Sequence, residues 1–454
     1  MPDTLQDLAR RHLWPPYTQM HDYRERDPLL IERAEGVKLY DRQGRSWYDA
    51  ISSWWCILHG HGHPTIKNSI HAQLERLEQV LLAGVIHEPA VRLAAALVDI
   101  TPPNLTRVFY SDNGSCACEI AVKMSLQYWQ QSGQPQRNQL AAVERGYHGD
   151  TIGTMSLGGV PEFHQAFAGL RFASHRLPSP YCYRCPRGCN AGSCSLECLT
   201  PLADLLTREG ERIAAFILEP LIQAAGGMII YPPAYLAGAA QLCRQHGVHL
   251  ILDEVATGFG RTGTMFAMEQ AGVSPDFLCL SKGLTGGFMP LAATMTTDDV
   301  YNAFYGDYQD NRTFFHGHTF TGNPLGCAAA LGSLQVFAEE ETMAGLPEKI
   351  ERLRLGLERF RGLPWVGDLR QLGMIGVLEL VKDRQSKEPF TLAERVGWPI
   401  YLAALKEGLL LRPLGNVIYL WLPLSVTLGE IDEILARVWK VLADPVNISG
   451  WRGK

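Results

Sequence analysis

Two short apolar runs in the middle of the chain have the pattern of buried strands. One occupies positions 248–252 and ends at Asp253, and the other occupies 277–280 and ends just before Lys282. Their length and bounding signals favour fully buried parallel strands. Because ligands lie at the carboxyl ends of the strands in an open α/β sheet, the pattern predicts that a carboxylate and an amine meet at one sheet edge.

The apolar pattern predicts strands that alternate with helices from about residue 66 to residue 340. Strand-like runs lie at 107–110, 140–143 and 214–218, and helical spacing or composition marks 66–81, 89–100, 115–129 and 233–246. This alternation predicts an α/β fold, with a mixed or mostly parallel sheet that helices cover on both faces.

Shorter elements flank this region on both sides. An antiparallel unit is predicted at 30–31, 37–40 and 47–48, with its turn at 41–44. After residue 345 come a helical stripe at 350–360, strand-like runs at 369–372, 374–378, 409–411 and 417–420, and a last helix that begins with the capping-box residues Thr427 and Glu430. The later elements predict a separate, smaller α+β domain.

Charge and composition exclude several classes of protein. The chain has 454 residues and a formal net charge of -6, so it lacks the basic surface expected of a nucleic-acid-binding protein. The pair Arg10 and Arg11 has no apolar core after it, which argues against an export signal. The longest uncharged stretch, 220–243, is broken by paired glycines and paired prolines. We therefore expect a cytoplasmic enzyme without a membrane span.

The predicted pairing of Lys282 with Asp253 suits pyridoxal phosphate (PLP). This cofactor is held covalently by a lysine amine, and a carboxylate facing its pyridine nitrogen keeps that nitrogen protonated. A PLP enzyme also needs a phosphate site. The predicted strand at 107–110 is followed by Gly114, Ser115 and a helix start, which is the geometry that binds anions. An ordinary helix cap at Ser115 is the alternative.

The same stretch resembles the signature of class III PLP-dependent aminotransferases. The resemblance rests on the sequences LDEV at 252–255, GFGRTG at 258–263 and SKG at 281–283, together with Asp276. It implies a fold type I transferase in which Lys282 holds the cofactor and moves a proton, while Asp253 contacts the pyridine ring. It also implies a large PLP-binding domain at 66–342 and a small domain that combines 343–454 with the N-terminal segment 1–65.

A dinucleotide site is the main alternative for these glycines. Gly258, Gly260 and Gly263 follow a predicted strand with G-x-G-x-x-G spacing, and Asp276 comes later. Asp253 and the next glutamate would repel a pyrophosphate there. The segment before the next glycine is also too short for the helix of a βαβ unit, so the PLP interpretation is preferred.

The resemblance also implies roles for residues outside the central stretch. Gly114 and Ser115 match the phosphate-binding positions, and Tyr147 matches an aromatic residue that stacks on the cofactor ring. Thr319 matches a residue that reaches the phosphate bound by a partner subunit, so a homodimer is implied. By position, we assign His318 to the cofactor and Gly317 to the substrate, although relatives often have proline in place of His318.

Further motifs resemble one subfamily, which transfers the amino group of S-adenosylmethionine to 8-amino-7-oxononanoate in biotin synthesis. They lie at 14–18, 52–55, 149–151 and 411–413, with Tyr419. Tyr17 and Trp54 suit a long aliphatic keto substrate, and Arg412 suits its terminal carboxylate. Arg261 is the second candidate for a carboxylate. Lysine as amino donor and other ω-amino acid aminotransferases remain alternatives.

Two clusters of possible metal ligands stand apart from this chemistry. His59, His61 and His63 alternate with glycines, and a flexible loop explains them better than a metal site. Residues 181–199, which we call the cysteine insert, contain five of the eleven cysteines: Cys182, Cys185, Cys189, Cys194 and Cys198. Their spacing fits zinc or an iron–sulfur cluster, with free thiols or disulfides as alternatives. A metal-binding module on an inactive enzyme scaffold is the rival from another functional class.

Overall fold

A computed structural model describes residues 4–189 and 194–449 of the chain. In chain order its strands are β1 Arg33–Glu35, β2 Lys38–Tyr40, β3 Ser46–Asp49, β4 Leu105–Ser111, β5 Gln139–Val143, β6 His175–Leu177, β7 Ile213–Leu218, β8 Ile222–Gln223, β9 Ile229–Ile230, β10 His249–Asp253, β11 Phe277–Leu280, β12 Ala292–Thr297, β13 Val366–Leu372, β14 Ile375–Asp383, β15 Glu388–Pro389, β16 Leu409–Leu410 and β17 Val417–Trp421.

The α-helices are α1 Leu5–His12, α2 Met20–Glu25, α3 Ser52–Trp55, α4 Pro64–Leu74, α5 Glu88–Ile100, α6 Gly114–Gln131, α7 Ile152–Leu157, α8 Pro161–His164, α9 Thr200–Glu209, α10 Pro233–Gln245, α11 Asp298–Ala303, α12 Pro324–Glu339, α13 Thr342–Glu358, α14 Gly397–Lys406, α15 Leu428–Ala443 and α16 Val446–Ser449. Among the described residues, no helix combines the length and the apolar character needed to cross a membrane.

A seven-stranded sheet in the order β4-β12-β11-β10-β7-β5-β6 forms the centre of the protein. Its strands are parallel except β12, which runs antiparallel to both of its neighbours. Successive residues of β10 point into two different cores, because Leu250 and Leu252 belong to one apolar cluster and Ile251 belongs to the other. Side chains of α6 fill the second cluster, and those of α5 and α10 join the first. The prediction of an α/β fold with two covered faces is therefore confirmed.

The register of this sheet brings the two predicted strand ends together. β10 pairs in parallel with β11, and Asp253 lies opposite Cys279, three residues before Lys282. Every residue of β7, β10 and β11 is buried. Full burial on both faces explains why these strands appear in the sequence as nearly continuous apolar runs.

Two smaller sheets connect the N-terminal and C-terminal parts of the chain. β1, β2, β3 and β16 form one sheet, in which Leu409 pairs with Tyr48. The other contains β13, β14 and β15, with β17 on the second edge of β14. The predicted capping box at the start of α15 is present, since Thr427 Oγ1 accepts the N–H of Glu430. The domain boundaries at 65/66 and 342/343 stay a prediction.

Two predicted elements differ from the structure. The first strand begins at Arg33 instead of residue 30, because the turn around Gly36, with φ of 55°, fixes the pairing of Ala34 with Leu39. The helix predicted at 66–81 ends at Leu74. Its expected apolar face is only partly buried: Ile66 is 0% exposed, but Leu74 is 52% exposed and Leu81 is 59% exposed.

Candidate active site

Lys282 lies two residues beyond the end of β11 and is half-buried. Its φ of 39° is in the left-handed region, which is uncommon for a residue with a side chain and recurs at functional sites. The amine lies 5.2 Å from the ring centre of Trp55. Burial lowers the pKa of Lys282, although the carboxylates of Asp253 and Glu219 oppose this effect. The amine is therefore closer to its neutral, nucleophilic form than a surface lysine.

Asp253 ends β10, and its carboxylate is fixed by two donors. His148 donates from Nδ1 to Oδ2 over 2.7 Å, and the N–H of Val255 donates to Oδ1 over 3.1 Å. Both side chains of the His148–Asp253 pair are buried, at 0% and 5% exposure. The hydrogen bond from a buried histidine fixes the orientation of this carboxylate. Sequence reasoning gave His148 no role, although it directly follows Tyr147 at the end of a strand.

The start of α6 forms a cradle that suits an anion. The side chain of Asn113 caps the helix by accepting the N–H of Cys116 over 3.1 Å. Gly149, with φ of 125°, passes so close that a Cβ atom there would lie 1.8 Å from Ser115 Oγ. A Cβ on Gly114 would lie 2.5 Å from Val255 Cγ1. Both glycines are needed for these close approaches beside the positive end of a helix dipole.

Tyr147 lines the pocket between the strand ends and its opening. Its N–H donates to Glu219 Oε2 over 3.0 Å, and its hydroxyl donates to Asp150 Oδ2 over 2.9 Å. Asp150 Oδ2 also accepts the hydroxyl of Tyr17 over 2.6 Å. Burial raises the pKa of Tyr17 to about 12 and also raises that of Tyr147, so both phenols stay protonated as donors. Neither Glu219 nor Asp150 was assigned a role from the sequence.

Glu219 is a buried acid at the end of β7. It accepts the N–H groups of Tyr147 and Ala224, over 3.0 and 2.9 Å. Burial, with a contribution from the charge of Asp253, raises its pKa to about 8. Glu219 therefore fixes the backbone of Tyr147 without adding a full negative charge beside Asp253 at neutral pH.

Arg412, Trp54 and Tyr17 form a second group at this opening. The Arg412 guanidinium lies 4.8 Å from the Trp54 ring centre, and its Nη2 donates to the carbonyl oxygen of Tyr17 over 3.1 Å. The rings of Tyr17 and Trp54 meet edge to face at 5.7 Å. Tyr17 and Arg412 are nearly 400 positions apart in the chain. Together with Trp54 they place a cation beside an apolar wall.

Arg261, the second candidate for a carboxylate, lies in the interior. Its side chain is fully buried and donates from Nη2 to the Ile57 carbonyl oxygen over 3.1 Å and from Nη1 to that of Leu422. Burial lowers its pKa to about 9. Its polar contacts are backbone carbonyls in two separate segments, whereas Arg412 lies beside the aromatic residues of the opening.

The loop that contains Gly317, His318 and Thr319 lies on the far side of the cradle. His318 Nδ1 lies 2.9 Å from Asp112 Oδ2, and Asp112 lines the pocket. The carbonyl oxygen of Thr319 accepts from Gln79 Nε2 over 2.7 Å. A Cβ atom added to Gly317 would have no neighbouring atom within 4 Å, so this loop borders open space.

The strand ends and the cradle enclose one pocket of about 480 Å³. Lys282, Asp253, Ser115 and Tyr147 are among the residues that line it. An amine, a hydrogen-bonded carboxylate and an anion cradle are the three features that PLP requires at its aldehyde, its pyridine nitrogen and its phosphate. The residues present therefore fit this cofactor.

The alternative interpretations of nearby motifs do not match the structure. The segment after Gly258, Gly260 and Gly263 contains a 3₁₀ helix at Ala267–Ala271 and lacks the α-helix of a dinucleotide fold. His59, His61 and His63 each have a separate partner, namely Ser333, Asp49 and Glu340. Among the described residues, no group of possible metal ligands includes these histidines.

The cysteine insert lies apart from this pocket, between β6 and α9. Its five thiols are described, whereas positions 190–193 lie outside the described residues. All eleven cysteines of the chain are free thiols in the structure. None of the five insert cysteines lines the pocket that contains Lys282.

The family model and the sequence relatives agree on one family of proteins. The family model for class-III aminotransferases matches residues 20–442. A protein from Geobacter sulfurreducens named adenosylmethionine-8-amino-7-oxononanoate aminotransferase is 47% identical over 96% of this chain and 97% of its own length. A protein of the same name from Methanocaldococcus jannaschii is 43% identical, with coverage of 97% and 98%.

Solved structures agree with the sequence relatives. A crystal structure of the Methanocaldococcus jannaschii aminotransferase has a TM-score of 0.92 and 41% identity, and the match covers 97% of this chain and 98% of that one. An (S)-enantioselective omega-transaminase from Thermomicrobium roseum has a TM-score of 0.92 and 32% identity, with 97% of each chain covered.

Fold and site together define a PLP-dependent transferase of fold type I, with a mostly parallel central sheet. The chain belongs to the class-III aminotransferase family, and it is an enzyme that uses PLP to transfer amino groups. The expectations for fold class, family and cofactor are therefore confirmed.

Proposed function

We propose that this enzyme transfers the amino group of S-adenosylmethionine to 8-amino-7-oxononanoate, which yields 7,8-diaminononanoate for biotin synthesis. The observation that carries the proposal is the group of Arg412, Trp54 and Tyr17 at the opening of the Lys282 pocket. An apolar aromatic wall that ends in a guanidinium suits a long aliphatic chain that ends in a carboxylate. The names of the sequence relatives support the same substrate pair.

Different residues of the pocket would hold different parts of the cofactor. Lys282 would hold it covalently, Asp253 would face its pyridine nitrogen, and Gly114 and Ser115 would hold its phosphate. Bound in this way, PLP would supply an electron sink for the carbon that loses or gains the amino group. Tyr147 would lie against the cofactor ring, and Glu219 fixes the Tyr147 backbone. His318 adds a polar group beside Asp112 at the phosphate end.

Lys282 is also the group that moves the proton. Inside the pocket, the Nζ of Lys282 would take the proton from the donor carbon as general base and give it back as general acid. Burial lowers the pKa of Lys282, which makes its neutral amine more available for this exchange. Donor and acceptor use the same pocket in turn, so the kinetics are ping-pong.

Both substrates bind in turn against the aromatic wall that Tyr17 and Trp54 form together. Arg412 binds the terminal carboxylate of the keto acid through its guanidinium, which lies over the Trp54 ring. The protonated phenols of Tyr17 and Tyr147 offer donors toward polar substrate atoms, held in place by Asp150. Gly317 leaves room for a substrate beside its loop.

The enzyme acts as a homodimer in which Thr319 binds the phosphate in the partner's pocket. Large apolar side chains are exposed near Thr319 in the single chain: Phe315 is 78% exposed, Phe320 58% and Leu81 59%. Gln79 connects the segment that carries Leu81 to Thr319. A second copy that covers these side chains gives them the burial that an isolated chain lacks. The eleven free thiols support a reducing compartment, the cytoplasm.

Donor exchange is the experiment that tests this function. The purified enzyme with PLP is incubated with 8-amino-7-oxononanoate and either S-adenosylmethionine or lysine, and the diamine is quantified. We expect product with S-adenosylmethionine and little with lysine. Diamine formed with lysine but not with S-adenosylmethionine would identify lysine as the amino donor instead. Turnover of ω-amino acids without turnover of the keto acid would contradict the proposed substrate while leaving the enzyme class intact.

A further inference from the structure

The cysteine insert brings metal-binding atoms together away from the active site. The Sγ atoms of Cys189 and Cys194 and a carboxylate oxygen of Glu197 all lie within 4.8 Å of one another. Cys194 Sγ donates to Glu197 Oε2 over 3.2 Å. Cys189, Cys194 and Glu197 are all half-buried. Thiols and a carboxylate at this separation are arranged as the ligands of one small cation would be.

The other three cysteines surround this group. Cys185 is close enough to Cys189 for the two thiols to interact electrostatically, and Cys182 interacts in the same way with Cys194. Cys198 has Cys194, Cys182 and Cys185 as its electrostatic neighbours. Five thiols therefore lie within one short segment, and three of them adjoin the group of Cys189, Cys194 and Glu197. Together they offer more sulfur ligands than a tetrahedral zinc site needs.

The backbone around the thiols adds a second observation. The N–H of Leu196 donates to Cys194 Sγ over 3.3 Å, in a turn where Leu196 has φ of 64°. A second turn follows Cys185, where the N–H of Gly188 donates to the Cys185 carbonyl oxygen over 3.0 Å and Gly188 has φ of 71°. A backbone N–H that points at a sulfur helps to orient it, as the groups around metal ligands commonly do.

We propose that the cysteine insert binds one structural Zn²⁺ ion, with Cys189 and Cys194 as its central ligands. The remaining positions of a closed tetrahedral site are filled from the adjoining groups, with Cys182, Cys185 and Cys198 preferred over Glu197 because zinc favours thiolates in structural sites. Binding releases the thiol protons to solvent and involves no change of oxidation state. This site is separate from the catalytic pocket and independent of the proposed substrate.

The position of the insert indicates what the ion would stabilise. On one side Arg184 donates from Nε to Glu379 Oε1 of β14 over 2.8 Å, and Lys387 donates to the Tyr183 carbonyl oxygen over 2.7 Å. On the other side Leu199 packs against Gly238 of α10. The insert therefore bridges the helical cover of the central sheet and the C-terminal strands. An ion that fixes its fold also fixes this bridge.

Metal analysis of the holoenzyme tests the proposal. Protein purified without chelator is assayed for zinc, iron and acid-labile sulfide, and its accessible thiols are counted before and after zinc is removed. We expect about one zinc per chain, as a closed site binds a single ion. Removal should expose additional thiols and lower Tm, while PLP content stays unchanged.

Variants assign the ion to the insert. Cys189→Ser and Cys194→Ser should each lose most of the zinc. Cys243→Ala removes a buried thiol of α10 outside the insert and should keep the ion. If the serine variants do not fold, the thiol count of the wild-type protein with and without zinc still gives an answer. Iron with sulfide, a disulfide between insert cysteines, five freely reactive thiols without zinc, or zinc retained in both serine variants would each overturn the proposal.

Discussion

The hydrogen bond from His148 to Asp253 offers the sharpest test of how the cofactor ring is held. His148→Leu removes the side-chain hydrogen bond from His148 Nδ1 to Asp253, while Asp253 keeps the N–H of Val255. The bond is 2.7 Å long and both side chains are buried, so little water can replace it. A hydrogen bond to a charged group contributes about 1.5–3 kcal/mol, which corresponds to a loss of roughly 10-fold to 150-fold.

The assay separates this effect from general damage. The rate of the first half-reaction and the dissociation constant for PLP are measured for three variants. His148→Leu should lose activity by the factor above. His148→Asn should keep most of it, since its amide nitrogen can donate from nearly the position of Nδ1. The control is His249→Leu, which removes a buried histidine at the start of β10 that forms a hydrogen bond with Ser125. We expect this variant to have lower stability but a nearly normal rate of the first half-reaction. Equal losses in His148→Leu and His148→Asn, or no loss in either, would refute the reasoning.

Three further predictions concern other parts of the protein. Arg412→Met should raise the KM for the keto acid by about 10-fold or more, with a smaller change in kcat, because one charge-assisted pair is lost; an unchanged KM would remove Arg412 from the site. Gly149→Ala should abolish tight PLP binding in a titration, since the added Cβ would lie 1.8 Å from Ser115 Oγ; normal PLP affinity would show that the cradle is elsewhere. Burial raises the pKa of Glu254 from 4.5 to about 7, so the folded protein binds more protons than the unfolded chain between these two pH values. The stability that this proton contributes is present at low pH and is lost as pH rises through the folded pKa. The free energy of unfolding of the wild type should therefore fall relative to that of Glu254→Gln between pH 4.5 and about 7, with a slope of at most about 1.4 kcal/mol per pH unit; parallel curves would contradict the assignment.

The central strands could be predicted from sequence because burial constrains every one of their positions. β10 and β11 are buried on both faces, so nearly all of their side chains are apolar and their ends are marked by Asp253 and Lys282. The helix predicted at 66–81 shows the limit of the same reasoning. Apolar spacing predicts that a side chain is buried. It does not indicate whether residues of the same chain or of a second copy bury it. Leu74 and Leu81 have helical spacing but lie exposed in the single chain.

The partners of the predicted site residues could not be found in this way. His148 lies in the loop after β5 and Asp253 ends β10, and these two strands are separated by β7 in the sheet. Their contact depends on strand order, which no local pattern encodes. Glu219 appeared in the sequence only as the end of a buried strand. Its role in holding the Tyr147 backbone follows from the path of a loop, and loops carry little periodic signal. The resemblance to a family supplied roles for single residues, whereas the structure supplied the contacts between them.

The tether between cofactor and protein is the claim on which the whole account depends. The purified enzyme is reduced with borohydride, digested, and analysed by mass spectrometry for a peptide that carries the phosphopyridoxyl group. We predict a single modified site at Lys282. A modification on another lysine, or an unmodified Lys282 in protein that has bound PLP, would contradict the account.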